Sequence, residues 1–148
     1  MEKATFAAGC FWGVEEAFDN LSGVQSTRVG YTGGSVPDPT YKNVCSGDTG
    51  HAEVVEIVFD PKETSYDILL NIFWKIHDPT TLNRQGPDVG TQYRSAIFIH
   101  SPKQEKEAQA SLAKMASNFD KPIVTQILPA APFYEAEEYH QKYSKKNQ

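Results

Sequence analysis

Cysteine, long apolar runs and excess positive charge are all scarce in this chain of 148 residues. Its two cysteines are too few for a disulfide scaffold, so we expect a reducing, cytoplasmic setting. No apolar run reaches the roughly 20 residues that a membrane-spanning helix needs, and the N-terminus carries no signal-peptide pattern. The chain has 14 basic and 19 acidic residues, and its net charge of −5 is unfavourable for general nucleic-acid binding. We therefore expect neither a membrane nor a nucleic acid as a partner.

The residues that are present predict one globular domain, 1–148, which we expect to be a monomer. Hydrophobic residues make up 39% of the chain, which is enough for an ordinary core. Periodicity and turn residues predict, in chain order, a strand, a helix, two strands, a helix, a strand, a helix and a last strand. The first six elements match a ferredoxin-like βαββαβ core. We therefore expect an α+β fold, a two-layer αβ sandwich whose helices cover one face of a mainly antiparallel sheet.

The predicted boundaries lie where apolar periodicity gives way to glycine, proline and polar residues. Strands are predicted at 4–8, 27–32, 53–60, 94–100 and 123–128, and helices at 11–21, 65–76, 101–119 and, as a peripheral element, 135–145. The stretches 35–50 and 79–93 are predicted to be long loops, and loops of that length are usually functional or disordered. We interpret His77, which ends the second helix, as a C-terminal cation rather than a ligand.

Cys10 lies where the first predicted strand gives way to the first predicted helix. It follows Gly9, whose conformational freedom allows a tight turn, and it occupies or adjoins the first helical position. Free backbone N–H groups and the helix dipole stabilise an anion at such a position. We therefore expect the Cys10 thiol to lose its proton easily and to act as a nucleophile. The sequence leaves open the alternative of a small buried apolar residue.

Glu53 has the same strand parity as Val55, Ile57 and Phe59, whereas Glu56 points to the other face. A carboxylate on an apolar face is desolvated, so its pKa should be raised. Carboxylates are rarely buried without a partner or a role, and we interpret Glu53 as a functional acid. The alternative is a frayed strand end, where parity has little meaning.

Three aromatic residues complete the candidate site. Trp12 lies off the apolar stripe of the first helix, which suits either a pocket wall or a half-covered surface position. The long loops supply Tyr41 and Tyr93, whose phenols can donate to a developing oxyanion, although each alone could be a packing residue. A thiol, a protonated carboxyl and phenol donors suit a small substrate with one oxygen to protonate. No metal site is expected, because the cysteines and histidines lack the spacing of a zinc motif.

Six motifs occur along nearly the whole chain: Gly9–Glu15 (GCFWGVE), Gly30–Gly34 (GYTGG), Pro39–Tyr41 (PTY), Thr49–Glu53 (TGHAE), Gly90–Ser95 (GTQYRS) and the segment from Phe133 to His140. In sequence and in order they resemble the motifs of the peptide methionine sulfoxide reductases of the A class. The motifs are long, so the resemblance is specific.

The resemblance implies a reaction and a role for each site residue. Cys10 attacks the sulfur of the S epimer of methionine sulfoxide, free or in proteins, and becomes a sulfenic acid as methionine is released. No metal and no bound organic cofactor is implied. The other implied roles concern the substrate: Glu53 protonates its oxygen, Tyr41 and Tyr93 hydrogen-bond that oxygen, Phe11 and Trp12 cradle the methyl group, and Asp88 helps to shape the site.

Regeneration of Cys10 is where the chain departs from the commonest pattern of this family. Many members carry resolving cysteines in a C-terminal tail, whereas this chain has no cysteine after Cys45, so we expect no C-terminal disulfide. Cys45 is a candidate resolving residue, but it could instead lie buried beneath the site. We prefer an external thiol, from thioredoxin, glutaredoxin or a small molecule, because no signature marks Cys45 as resolving. The competing interpretation is a redox-sensing thiol module without turnover, which would need neither Glu53 nor the tyrosines.

Overall fold

A computed structural model describes residues 1–146, so positions 147–148 of the predicted domain lie outside the described residues. The strands are β1 (Glu2–Ala8), β2 (Val24–Thr32), β3 (Ala52–Phe59), β4 (Arg84–Gln85), β5 (Asp88–Val89), β6 (Ser95–Ile99), β7 (Gln126–Pro129) and β8 (Tyr134–Glu135). The helices are α1 (Phe11–Asp19), α2 (Tyr41–Cys45), α3 (Tyr66–Lys75), α4 (Pro102–Met115) and α5 (Tyr143–Lys146). Among the described residues, no helix combines the length and apolar character that a bilayer crossing needs.

Six strands form one sheet in the order β7–β6–β1–β3–β2–β8. β1 pairs antiparallel with β3 and β6, β2 pairs antiparallel with β3 and β8, and β6 runs parallel to β7. The central strands β6–β1–β3–β2, connected through α1 and α3, form the predicted βαββαβ core. The predicted α+β class and mainly antiparallel sheet are therefore confirmed.

Two apolar clusters lie on the two faces of the sheet. The larger cluster packs strand residues such as Phe6 and Ile57 against the helices. The smaller cluster includes Val54 and Phe98 and is partly covered by residues that follow β6. Successive strand residues point to opposite faces, so Glu53 shares the helix-covered face with Ile57, as predicted.

Both predicted long loops contain short regular elements. The stretch 35–50 includes α2, whose N-cap Thr40 accepts a hydrogen bond from the Asn43 N–H while the Asn43 side chain accepts one from the Thr40 N–H. The stretch 79–93 includes the hairpin of β4 and β5 and ends in a 3-10 turn. These segments are therefore ordered by local side-chain contacts that apolar periodicity does not reveal.

Two predictions about helical segments are wrong: the helix over 135–145 and the cationic state of His77. The stretch 135–145 is not one helix: β8, a 3-10 turn and α5 follow one another, and Lys142 interrupts the path with a φ of 55°. His77 is not a helix-terminal cation, because its ring nitrogens lie 2.7 Å from the Phe73 carbonyl and 2.7 Å from the Ser95 hydroxyl. Burial lowers the pKa of His77 to about 4, so the ring is neutral at pH 7.

Candidate active site

The site is organised by the junction between β1 and α1. Gly9 makes the turn with a φ of 99°, and a Cβ at this position would lie 2.9 Å from the Gln85 side chain, so the close approach requires glycine. Cys10 follows as the N-cap of α1, and its carbonyl oxygen accepts a hydrogen bond from the Val14 N–H. The half-buried thiol thus lies at the C-terminal end of β1, as predicted.

The protonation state of Cys10 differs from the prediction. Burial raises the pKa of the thiol above its ordinary value, and the carboxylates of Glu53 and Asp88 raise it further. The N–H groups of Trp12 and Gly13 lower the pKa, but they do not compensate. The expectation of an unusually acidic thiol is wrong, because lost hydration and two nearby carboxylates outweigh the free N–H groups of the helix start. Cys10 is therefore a protonated thiol at rest.

Glu53 is the buried acid of the site, with 1% of its surface exposed. Its Oε1 accepts a 3.1 Å hydrogen bond from the Phe11 N–H, and its Oε2 has no hydrogen-bond partner within residues 1–146. Burial, helped by the charge of Asp88 and opposed by the Phe11 N–H, raises the pKa of Glu53 to about 7. The predicted rise is confirmed, and near pH 7 this carboxyl can both hold and give up a proton.

Phe11 and Trp12 form an aromatic group with rings from other elements. The buried Phe11 ring lies 5.7 Å from the Tyr31 ring and 6.4 Å from the Tyr41 ring. The indole N–H of Trp12 donates a 2.8 Å hydrogen bond to Nδ1 of His140. Trp12 is therefore fixed and partly buried at the edge of the core, and its role as a pocket wall stays a prediction.

Two phenols from the predicted loops converge on the same place. Tyr41 is the first residue of α2, and Tyr93 ends a 3-10 turn before β6. Burial raises the pKa of both phenols, and the charge of Glu53 raises both further. Cys10 and Asp88 also act on Tyr93. Both phenols therefore remain protonated donors near Glu53, and Tyr93 also lies near the Cys10 thiol.

Asp88 lies on β5, directly opposite Gln85 in the short hairpin. Opposite residues of an antiparallel pair share a face, and the Gln85 side chain packs against Gly9. This face of the hairpin is therefore turned toward the nucleophile. The charge of Asp88 raises the pKa of both Cys10 and Glu53, so Asp88 influences the two protons of the site.

Cys45 is not buried beneath the site; it is exposed at the C-terminal end of α2. It lies close to the Tyr41 phenol, one helical turn earlier, and helps to raise the pKa of that phenol. Its carbonyl oxygen accepts a 3.5 Å hydrogen bond from Nε2 of Gln92. Cys10 and Cys45 are both free thiols, so the structure places Cys45 at the rim of the site without joining it to the nucleophile.

Residues 134–146, named here the C-terminal strap, contribute side chains to which sequence reasoning assigned no role. The fully buried His140 contacts Trp12, and its ring lies 4.3 Å from the Tyr41 ring. The Tyr143 ring stacks on Trp12 with 3.7 Å between centroids and 10° between planes. The motif that ends in His140 is the signal in the sequence that points to His140, whereas Tyr143 lies beyond it.

Buried polar contacts hold the C-terminal strap on the fold. The Lys142 ammonium lies 3.0 Å from Oε2 of Glu15, which is 2% exposed, and the Lys142 N–H donates a 2.7 Å hydrogen bond to Oε1. The same ammonium contacts the hydroxyl of Thr27 and lies 3.3 Å from Asp19. The Gln141 side chain hydrogen-bonds both an N–H and a carbonyl of β2. Because a buried carboxylate without a partner is costly, this lysine links the strap firmly to α1.

The arrangement is suited to proton-coupled attack by a thiol. Over residues 1–146 there is no group of three or more histidine, cysteine or acidic side chains that could hold a metal ion. The chemistry that the side chains themselves support is nucleophilic attack by Cys10 on a small group inside an aromatic wall. Glu53 can protonate one oxygen of that group, and the phenols can hydrogen-bond it.

Comparisons with known proteins identify relatives along nearly the whole chain. The family model described as peptide methionine sulfoxide reductase matches residues 2–148. A protein from Methanothermobacter thermautotrophicus, named peptide methionine sulfoxide reductase MsrA, is 62% identical over 148 residues, 99% of this chain and 88% of that protein. The structure of reduced Mxr1 from Saccharomyces cerevisiae matches with a TM-score of 0.94 at 42% identity, covering 99% of this chain and 85% of Mxr1. The structure of Mxr1 in complex with Trx2 matches with a TM-score of 0.70 at 29% identity, covering 96% of this chain and 84% of that chain.

Proposed function

The chain belongs to the peptide methionine sulfoxide reductase family, and we propose that its Cys10 pocket reduces the S epimer of methionine sulfoxide, free or in proteins. The protein is an oxidoreductase whose reducing equivalents come from thiols. The Glu53 carboxyl is the observation that carries the assignment of the site, because it is buried, has a pKa of about 7 and accepts the N–H that follows Cys10. A module that only sensed oxidants would not need an acid at this position.

The first step of the proposed reaction moves one oxygen from the substrate to Cys10. The Sγ atom of Cys10 attacks the sulfoxide sulfur while Glu53 protonates the sulfoxide oxygen. The oxygen then passes to Cys10, the bond between the two sulfur atoms breaks, and methionine leaves. The Cys10 sulfur loses two electrons and the methionine sulfur gains two. The thiol proton replaces the proton that Glu53 gave, so the acid ends the step protonated as it began.

The remaining site residues bind and orient the substrate in this proposal. Phe11 and Trp12 enclose the methyl group that is attached to the sulfur. The phenols of Tyr41 and Tyr93 donate hydrogen bonds to the oxygen as negative charge develops on it. Asp88 shapes the site by raising the pKa of the thiol and of the acid, so that both protons are present when the substrate binds.

An external thiol regenerates Cys10 in this proposal. The sulfenic acid reacts with one thiol to give a mixed disulfide and water, and a second thiol releases Cys10 and leaves as part of a disulfide. Thioredoxin is the reductant with direct support, because the relative Mxr1 has been crystallised with Trx2. Glutaredoxin and small thiols are further proposed reductants. Cys45 is exposed at the C-terminal end of α2 and is not joined to Cys10, and we propose that regeneration does not require it.

We propose that the chain acts as a single catalytic domain and a monomer in the cytoplasm. One sheet with an apolar cluster on each face extends through the described residues, which supports a single domain. Both cysteines are free, which fits a reducing compartment.

Turnover on separate sulfoxide epimers tests the proposed function. Reduced protein is mixed with dithiothreitol and a peptide that carries either the S or the R epimer of methionine sulfoxide, and the methionine product is measured over time. We expect many turnovers with the S epimer and none with the R epimer. Equal turnover of both epimers would refute the stereochemical assignment, and product that never exceeds one equivalent per chain would support the sensing module.

A further inference from the structure

Glu137 lies on the C-terminal strap, and its side chain contacts Tyr31 and Tyr41 next to the site. Its Oε1 accepts a 3.0 Å hydrogen bond from the Tyr31 hydroxyl. Its Oε2 accepts a 3.1 Å hydrogen bond from the backbone N–H of Tyr41. The carboxylate therefore connects two elements that are far apart in the chain, β2 and α2.

The helix that carries Tyr41 has few other anchors. α2 has five residues, and Val44 is its buried residue. Its N-cap, Thr40, is exposed and makes its hydrogen bonds within the same turn. A helix of this length does not hold its position by itself, so contacts with the rest of the fold must set where its first residue points.

The Glu137 carboxylate is fixed from both sides. Burial works to raise its pKa, but the N–H groups of Glu137 and Tyr41 and the Tyr31 hydroxyl hold the pKa below its usual range. The Tyr31 side chain is fully buried, and its ring lies 5.7 Å from the Phe11 ring of the pocket. The fixed Tyr31 phenol thus orients Oε1 of Glu137, and Oε2 accepts the hydrogen bond from the first residue of α2.

We propose that Glu137 is a positioning residue for sulfoxide reduction, because it holds the N-terminus of α2 so that the Tyr41 phenol reaches the substrate oxygen. This inference rests on the proposed role of Tyr41. No hydrogen bond joins Glu137 to Cys10 or Glu53, and the proposed effect on the first step passes through Tyr41.

A neighbouring carboxylate provides a matched control. Glu138 is next in the chain, and its side chain is 88% exposed and pairs with Lys146 at 3.2 Å. Replacing Glu138 removes the same charge from the same segment without touching α2. Any general effect of charge on substrate binding would therefore appear in Glu138→Ala as well.

A double-mutant cycle tests the proposal. Single-turnover rates of sulfide formation are measured for the parent protein, Glu137→Ala, Tyr41→Phe, the double variant and Glu138→Ala. We expect Glu137→Ala to slow the step about 10- to 100-fold when Tyr41 is present, because small misplacements of an orienting group have effects of this size. In the Tyr41→Phe background the same change should have an effect within about twofold, since the two residues act as a unit. Glu138→Ala should match the parent.

Folding and pH controls distinguish the proposed positioning role of Glu137 from a merely structural role. The thermal midpoint of each variant is measured, and Glu137→Gln, which keeps the side-chain shape and one acceptor oxygen, replaces Glu137→Ala if the latter does not fold. Glu137→Gln should recover part of the lost rate. The pH dependence that Glu53 imposes should stay unchanged in every Glu137 variant.

The possible results separate the two proposals. If Tyr41→Phe slows the step and Glu137→Ala does not, the positioning role is wrong while the role of Tyr41 stands. If the two effects are additive, Glu137 acts elsewhere and the positioning role is again wrong. If Tyr41→Phe has no effect, the role of Tyr41 falls, and the positioning role falls with it.

Discussion

The active site has a core half and a loop half, which are held in different ways. The core half consists of Cys10, Phe11 and Glu53, at the junction of β1 with α1 and on β3. Strand pairing along β1 and β3 and the larger apolar cluster place these residues. Because the interior is closely packed, none of them can shift without disturbing the sheet or the core.

The loop half consists of Tyr41, Asp88 and Tyr93, on α2, on β5 and at the end of a 3-10 turn. These elements have two to five residues each, so their own hydrogen bonds do not fix them. Polar contacts with other segments hold them: Glu137 accepts a hydrogen bond from the first residue of α2, and Gln85 of the hairpin accepts one from the Asp78 N–H. The comparison indicates that the proposed nucleophile and acid are built into the fold, whereas the groups proposed to orient the substrate depend on a few polar contacts.

Loss of the nucleophile should have the largest effect, because nothing in the loop half can replace it. Cys10→Ser should fold normally and should lose all sulfoxide reduction, since a serine hydroxyl is a far weaker nucleophile at neutral pH. Single-turnover assays of methionine formation, with circular dichroism as the folding control, measure this. Substantial residual reduction would show that the core half does not contain the nucleophile.

Loss of the acid should have the next largest effect. Glu53→Gln can still hydrogen-bond but has no carboxyl proton, so the sulfide-forming step should slow by about 10²–10⁴-fold. The parent rate should fall as the pH rises above about 7, where Glu53 ionises, and Glu53→Gln should lack that fall. Glu56→Gln, on the same strand but the opposite face, is the control and should keep the parent rate. An unchanged single-turnover rate in Glu53→Gln would mean that the proton comes from another group.

Glu53→Gln should slow the reaction but should raise the stability of the folded protein. The folded protein holds the Glu53 proton more tightly than the unfolded chain, because the pKa rises from 4.5 to about 7. Stability conferred by this group is therefore complete below pH 4.5 and is lost as the pH rises to about 7. Glu53→Gln should avoid that loss, with a gain of roughly 3 kcal/mol in the free energy of unfolding at pH 8 and little gain at pH 4. Denaturant unfolding of the parent and of Glu53→Gln at both pH values measures this gain. If the two proteins differ in free energy of unfolding by the same amount at pH 4 and at pH 8, Glu53 is not a buried acid with a raised pKa.

The selectivity of the pocket for a methyl group on the sulfoxide tests the residues between the two halves. Of these, Phe11 belongs to the core half and Trp12 lies under the C-terminal strap. A closed aromatic pocket should disfavour an ethyl sulfoxide by about 1–3 kcal/mol relative to the methyl sulfoxide. Trp12→Ala should narrow this preference. Equal kcat/KM values for methyl and ethyl sulfoxides in the parent protein would refute the pocket.

The smallest effect is expected from Cys45, the thiol at the rim of the loop half. Cys45→Ser should keep near-parent turnover with each of dithiothreitol, thioredoxin and glutaredoxin that supports the parent, because in the proposed regeneration an external thiol attacks Cys10 directly. Selective loss of thioredoxin-supported turnover, together with a Cys10–Cys45 disulfide trapped in the parent, would make Cys45 the resolving residue.

The core half could be predicted from the sequence because its positions follow from regular periodicity. The parity of Glu53 with Val55 and Ile57 predicted both its face and its raised pKa, and the strand-to-helix pattern placed Cys10. The acidity of Cys10 could not be predicted, because it depends on how far the thiol is buried and on how closely Glu53 and Asp88 approach it, and the chain alone shows neither.

The loop half was accessible only in part. The sequence offers Tyr41 and Tyr93 as candidate donors, but it does not reveal α2, because the capping contacts of this helix lie within a stretch rich in glycine and proline. Glu137, 96 residues beyond Tyr41, could not be assigned because nothing in the sequence links residues so far apart. Polar contacts of this kind have no periodicity, and only the folded chain reveals them.

The central claim, that Cys10 takes the oxygen from the sulfoxide, is tested most directly by mass spectrometry without any reductant. Reduced protein is mixed with an excess of the S epimer of a methionine sulfoxide peptide, sulfenic acids are trapped, and both products are measured. The account predicts one equivalent of methionine peptide per chain and one added oxygen, located on Cys10. Methionine formed without an oxygen on Cys10, or formed equally by Cys10→Ser, would contradict it.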